Sequence, residues 1–507
     1  MSVKIVYRDI AAGADEDALV TAPGAADHTD PALLPFGGSG SPIATLEPFS
    51  WVLDGSRELL DGQPLAYWSE AMSGPDGRFE TPPEISIRFD SRYTSPGLLL
   101  TFDPATGDYC SHVTAEWYRG ANLLKKKDFY PAGPEAFCAQ TVEAWDGIVL
   151  RLHATGRPYR YAKLQKILFG VDRTFLRNEL RGVRATQEVS IISDQVAVNT
   201  LDFTLDSKAD VDYMFQMKQP VSAYDGDRLV GVFYIDGHRG KGLWSISCKD
   251  AIGVLDDDPY PARMLSSEPA RELLEDVLGG HFRLELDGAL AAAPLTGYLP
   301  GGSRRQALQQ IAFALCAMVD TSGTDAVRVY KDREEQPRKI PLQRTYINGA
   351  VDTSAIVTAV QVTSYSYSTS GTGNDTMEAD GVTYYHTAAV TAITNPNVTA
   401  GDKPNVVEVK EATLVDPGRA AAVAQHLYSY YMKRSVQKVK IVMDGEKPGD
   451  HIAAATPWDT VMDGFITSMH ITLSGIAAAE CSVVGVDVRA VGGAEEIASG
   501  EVMSGEV

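Results

Sequence analysis

YDGDRLVGVFYIDGHRGKGLWSISCKDAIGVL (Tyr224–Leu255) is the stretch on which the fold turns. Two β-rich runs, Leu229–Ile235 and Leu243–Cys248, flank the turn cluster DGHRGKG at residues 236–242. Apolar alternation interrupted by a Gly-rich turn predicts a β-hairpin. A looser echo lies near the C-terminus: Phe465–Ile471, a turn at residues 473–475, then Ala478–Val484. Gly231 and Gly464 open the first strand of each copy, and a Ser/Cys-containing strand closes each one. A lone hairpin cannot bury a face, so each copy is expected to close into a small barrel or sandwich with neighbouring strands. A duplicated β unit without a catalytic signature points away from an enzyme and toward a symmetric assembly component.

Outward from this hairpin the chain reads as mainly β with an α+β insertion, in several domains. Residues 1–41 are a short strand and an Ala/Asp/Gly/Pro-rich extended arm. Residues 42–170 show short alternating runs, such as Glu84–Phe89, Gly97–Phe102, Ser111–Trp117, Gly147–His153 and Lys163–Phe169, as in a jelly-roll sandwich. Residues 171–255 form the first barrel, with strands at Glu188–Ile192 and Ala197–Leu205 before the hairpin. Residues 256–344 form a small α+β domain. Its helices are Arg271–Leu278, stopped by Gly279-Gly280, and Arg304–Val319, with Ser303 and Gln306 as a capping box. Strands return over 345–490, with a polar loop at Ser364–Asn374 and a helix Pro417–Met432 capped by Asp416. Residues 491–507 are a polar tail.

At 507 residues the chain exceeds what one hydrophobic core supports. Forty-five basic against 67 acidic side chains give a net charge of −22. Such a surface repels phosphates, so sequence-independent nucleic-acid binding is not expected. It suits solubility, or a passage through which polyanions slide without sticking. The five cysteines are scattered, with no CxxC pair, and read as free thiols. No apolar run is long enough for a membrane span, and MSVKIVYRDI is not a secretory signal, so synthesis in the cytoplasm is expected.

Candidate chemistry is sparse. Trp51 sits in an alternating strand and reads as core. Trp117, Tyr118 and Arg119, beside the turn residue Gly120, are the candidate glycan-facing group. Glu47, Asp54, Glu84 and Asp90 are acids from which a glycosidase would have to draw its pair, yet no spacing selects two of them. The nine histidines occur singly, with no HExxH motif and no Cys/His cluster, so no metal site is expected. Cys138 and His153 lack the context of a thiol–imidazole pair. The basic run at Lys125–Lys127 reads as a solvated loop, and Gly301-Gly302 before Ser303 as a helix cap without phosphate-binding spacing. No catalytic residue, cofactor or metal is expected.

Four stretches carry a resemblance: EVSIISDQVAVNTLDFTLDS (Glu188–Ser207), the hairpin block, YLPGGSRRQALQQIAFALCAMVDTSG (Tyr298–Gly323) and DGFITSMHITLSGIAAAECSVVG (Asp463–Gly485). In this order they resemble the baseplate or tail hub proteins of tailed phages and contractile injection particles. The resemblance implies a homotrimer with two similar barrels per chain. Three chains then present six barrels to a six-fold tail tube and three-fold symmetry to a central spike, among other baseplate proteins. It also implies a place in a virion or tail-like particle assembled in the bacterial host cytoplasm. TLEPFSWVLDG (Thr45–Gly55), YWSEAMSGPDGRFE (Tyr67–Glu80) and IRFDSRYTSPGLLLTFD (Ile87–Asp103) resemble an accessory carbohydrate-binding or discoidin-like jelly roll. That domain opens one alternative, a tail adhesin for cell-surface glycan, and the acids named above leave a second, a tail-associated cell-wall hydrolase.

Overall fold

The computed structural model describes residues 3–38, 45, 47–48, 54, 66–103, 106–207, 213–331, 336–371, 376–399, 401, 403–456, 458, 460–473 and 475–489. Trp51 and the tail at 491–507 lie outside them. The fold is mainly β, with several sheets and few helices. The chain divides into two compact units, one of residues 6–174 with 211–220, the other of residues 1–5, 175–210 and 221–507.

In the first unit the main sheet runs Leu19–Thr21, Glu84–Thr101, Glu135–Thr155, Cys110–Arg119, Asn122–Phe129, with Lys166–Leu168 added against Glu84–Thr101. Tyr67–Met72 and Tyr161–Leu164 pair in a small second sheet. Alternation decides the faces. Val113, Ala115 and Trp117 point into the core with Leu150, Leu152 and Trp145, and all six are fully buried. The runs expected at Glu84–Phe89 and Gly97–Phe102 are two ends of one bulged strand. The segment expected as an extended arm carries a short helix, Ala14–Asp17, and the strand Leu19–Thr21, which pairs with Ser86–Arg88. Ala14 and Leu34 are fully buried there. Small residues pack closely against the sheet where composition alone suggests an unanchored chain.

In the second unit, five strands follow one another in sequence: Leu180–Glu188, Thr200–Asp206, Pro220–Asp225, Arg228–Arg239 and Leu243–Lys249. In space their order is third, fourth, fifth, second, first. The expected hairpin is the fourth and fifth of these. Its first strand extends to Arg239, so the turn shrinks to Gly240–Gly242, where Gly240 and Gly242 take positive φ. The expected strand Glu188–Ile192 is not one. Val189, Ile191 and Ile192 are buried in a non-strand connection, so their apolar character reflects core contacts rather than sheet pairing.

A helical layer follows. Asp250 caps the helix Ala251–Asp256 by accepting from the Gly253 N–H. The helix Ala270–Leu278 stops at Gly279, in a left-handed conformation. Arg304–Leu315 carries the full Ser303/Gln306 capping box. It ends four residues before the expected Val319 because Cys316 turns left-handed at φ 51°. Met318–Asp320 is then a strand beside Ala326–Tyr330. Further on, the helix is Ala420–Tyr431, preceded by a turn in which the Asp416 carboxylate accepts from the Gly418 and Arg419 N–H groups. Residues 364–368, expected as loop, complete the strand Ala359–Ser368.

Candidate assembly surface

The C-terminal region contains a second set of five strands: Thr345–Thr353, Ser435–Val442, His451–Ala455, Thr460–Thr472 and Ala478–Arg489. Their spatial order is again third, fourth, fifth, second, first. The echo heard in the two hairpins is therefore one part of a five-strand repeat. The halves differ in the connection between first and second strands. In the first half it spans only residues 189–199. In the second it spans residues 354–434 and carries a four-stranded sheet and the Ala420–Tyr431 helix.

Each half curls. Gln187 Nε2 donates to the Val230 carbonyl at 2.8 Å, although their strands lie three places apart in the sheet. Gln437 Nε2 donates to the Ala455 carbonyl at 3.0 Å, again three places apart. Both amides are buried. A side chain bridges strands that far apart only when the sheet folds toward a barrel.

The halves join edge to edge. Leu180–Glu188, the first strand of the first half, pairs antiparallel with the end of Thr460–Thr472, the fourth strand of the second half. The register runs from Arg184 opposite Thr472 to Glu188 opposite Ser468. Ala185 and Ile471, a facing pair in this ladder, are both buried. The fourth strand serves two neighbours on that side, since Val461–Phe465 pairs with His451–Ala455.

Two stretches that would receive such a pairing, Thr345–Thr353 and the far part of Arg228–Arg239, have no further strand beside them among the described residues. Thr345–Thr353, the first strand of the second half, pairs only with Ser435–Val442. Tyr346 is 47% exposed there. In the first half, the six-residue strand Pro220–Asp225 leads through a two-residue turn into the twelve-residue strand Arg228–Arg239. It is long enough to cover only the first part of that strand. The remainder, Tyr234–Arg239, is bonded to Leu243–Lys249 on its other side, and Asp236, His238 and Arg239 are exposed. Exposed strand edges are templates for further pairing.

The residues singled out in the N-terminal segment fall elsewhere. Trp117 is fully buried, with its indole inside the core, and presents no ring face to a glycan. Tyr118 donates its hydroxyl to Glu116 Oε2 at 2.6 Å, and Arg119 Nε donates to the Ala144 carbonyl at 2.8 Å. The expected glycan-facing trio is thus split between core and sheet bracing, as alternation along one strand requires. Burial alone would raise the Glu116 pKa, yet hydrogen bonds from Arg151, Lys126 and Tyr118 bring it down to about 2. Lys125–Lys127 lie on the strand Asn122–Phe129, not on a loop, with Lys126 paired to Glu116 at 2.8 Å.

The candidate acids Glu47 and Glu84 are both engaged by cations. Glu47 is buried against Lys163, and Glu84 is held by Arg151 at 3.0 Å. All five cysteines are free, and burial pushes the Cys138 thiol up to about 12. Among the described residues no helix is long and apolar enough to cross a membrane.

No protein-family model matches the chain. No curated protein matches it in sequence. Among solved structures, the chain is similar to a tail protein from Neisseria meningitidis, at 14% identity and a TM-score of 0.43 over 59% of this chain and 91% of that one. It is similar to the 43 kDa tail protein of prophage MuSo2 from Shewanella oneidensis, at 9% identity and a TM-score of 0.42 over 60% and 97%. It is also similar to a prophage tail protein from Listeria monocytogenes, at 10% identity and a TM-score of 0.42 over 62% and 91%.

Proposed function

We propose that the chain is a structural tail hub, a trimeric adaptor between a six-fold tail tube and a three-fold spike in a phage tail or contractile injection particle. The observation that supports this reading is the repeated strand order with its asymmetric junction. Inside one chain, the first strand of one half pairs with the fourth strand of the other. The same pairing between copies would place Thr345–Thr353 of one chain against Tyr234–Arg239 of the next. Such a contact is head-to-tail, and head-to-tail contacts close into rings when each step turns by a whole fraction of a circle. With two halves per chain, three copies close when each half turns about 60°. The ring would then be six-fold in its strand framework and three-fold in its insertions, which is what joining the two symmetries demands.

The test is the mass of the purified chain, by native mass spectrometry and light scattering across a concentration series. Trimers, and capture of the cognate tube and spike proteins, are the expected result. A chain that stays monomeric throughout and captures neither would sink the reading.

A further inference from the structure

Two of the histidines that stand alone in the sequence meet in space. His112 lies on the strand Cys110–Arg119, His153 on Glu135–Thr155, and Asp128 on Asn122–Phe129, three adjacent strands of one sheet. Val113 and Leu152 face the core, so alternation turns His112, Thr114 and His153 to the opposite face. Asp128 stands directly across from Thr114. The register breaks between the His112–Ala154 and Val113–Leu152 pairs, which leaves His153 opposite no residue. Breaks of this kind re-aim side chains. Here the His153 ring stacks on His112, with centroids 4.4 Å apart.

The donor atoms converge as the rings do. His112 Nε2 lies 3.3 Å from Asp128 Oδ1, and the ligand atoms of His112, Asp128 and His153 all lie within 4.8 Å of one another. Ligands about 2.0–2.1 Å from a tetrahedral zinc are roughly 3.3 Å apart, so the first pair already has that spacing. Between Asp128 and His153 stands the Thr114 hydroxyl, 2.7 Å from His153 Nε2 and hydrogen-bonded to Asp128. This hydroxyl ties the carboxylate to the imidazole and turns aside when an ion binds both. The nearby cations do not oppose an ion unchecked, since Lys126 and Arg151 are each paired with Glu116, at 2.8 and 2.7 Å.

We propose that His112, Asp128 and His153 bind a divalent ion of the zinc class, with three protein ligands and a fourth position open to solvent. Two imidazoles and one carboxylate favour such an ion over magnesium or calcium, which take oxygen ligands. Bound there, the ion ties three strands together on the face away from the core. The site is independent of the hub reading.

The experiment uses the full chain stripped with a chelator, then titrated with cobalt(II) and zinc(II). Cobalt is expected to bind at one ion per chain with visible ligand-field absorption, and zinc to displace it and raise the unfolding temperature. His112→Ala, His153→Ala and the near-isosteric Asp128→Asn are each expected to weaken binding by at least about tenfold. Asp128 is exposed, so its Asn variant should keep the fold, checked by circular dichroism. Absence of cobalt absorption in the parent chain overturns the proposal. So does unchanged binding in a folded Asp128→Asn chain combined with His153→Ala.

Discussion

Gly464 and Gly485 face each other across the antiparallel strands Thr460–Thr472 and Ala478–Arg489. A Cβ added to Gly464 would stand 2.7 Å from the Gly485 Cα and closer still to the Val484 carbonyl oxygen. Both obstacles are backbone, so neither can rotate away. Gly464→Ala is therefore expected to cost about 1–3 kcal/mol in urea unfolding. Gly288→Ala, at the open start of a short helix where an added Cβ meets nothing within 4 Å, serves as the control and should be near neutral. Equal effects at the two positions would show that the close approach is not what matters.

The proposed contact between copies can be trapped. Ala350 lies on Thr345–Thr353 and His238 on Arg228–Arg239, and both are exposed. Chains carrying Ala350→Cys mixed with chains carrying His238→Cys should cross-link through a short bismaleimide, while either variant alone should not. Four of the five native cysteines are buried and compete little. Equal cross-linking in all three samples would refute the head-to-tail pairing.

Lys163 is fully buried, with Nζ 2.7 Å from Glu47, 3.1 Å from Asp108 and 3.8 Å from Asp103, and 4.6 Å from the Trp68 ring centroid. Lys163→Met would leave three carboxylates without that counter-ion. Breaking a buried pair by deleting one partner costs about 3–5 kcal/mol, and that loss should appear as an earlier urea midpoint. A loss below about 1 kcal/mol, what an exposed pair is worth, would mean that the cluster relaxes into water.

Burial pushes the Asp250 carboxyl up to about 6, against opposing hydrogen bonds from the Thr321 hydroxyl and the Gly253 N–H. Unfolded, the same group titrates near its ordinary value of 3.8. Between these values the folded chain keeps a proton that the unfolded chain has lost, so stability should fall as pH rises from about 4 to 6. The contribution is at most about 3 kcal/mol at 1.36 kcal/mol per pKa unit. Asp250→Asn removes this titration, so subtracting its urea stability profile from the parent's isolates the slope. A flat difference curve would rule out the shift.

The hairpin at Leu229–Cys248 was legible because its apolar residues alternate and its turn is crowded with glycine. The Ser303/Gln306 cap was equally plain, since both partners are local. The five-strand repeat was not. Its first strands, LRGVRATQE (Leu180–Glu188) and TYINGAVDT (Thr345–Thr353), share no pattern. Their placement depends on edge pairing with distant strands, which local sequence does not encode. Conversely, VSII at residues 189–192 looked like strand because buried connections and buried strands share composition. His112 and His153 are separated by forty intervening positions, and only the sheet register unites them. Trp117 beside Tyr118 and Arg119 suggested one surface, yet neighbours on a strand point to opposite faces.

The uneven connection between the first and second strands of each half has an evolutionary reading. A duplicated framework can diverge without losing its ladder only where added chain leaves the strands untouched. Residues 354–434 enter and leave at adjacent strands, Thr345–Thr353 and Ser435–Val442, so an entire sheet and helix hang from a seam that the framework already closes. That seam lets a whole module be inserted without breaking the ladder beneath it.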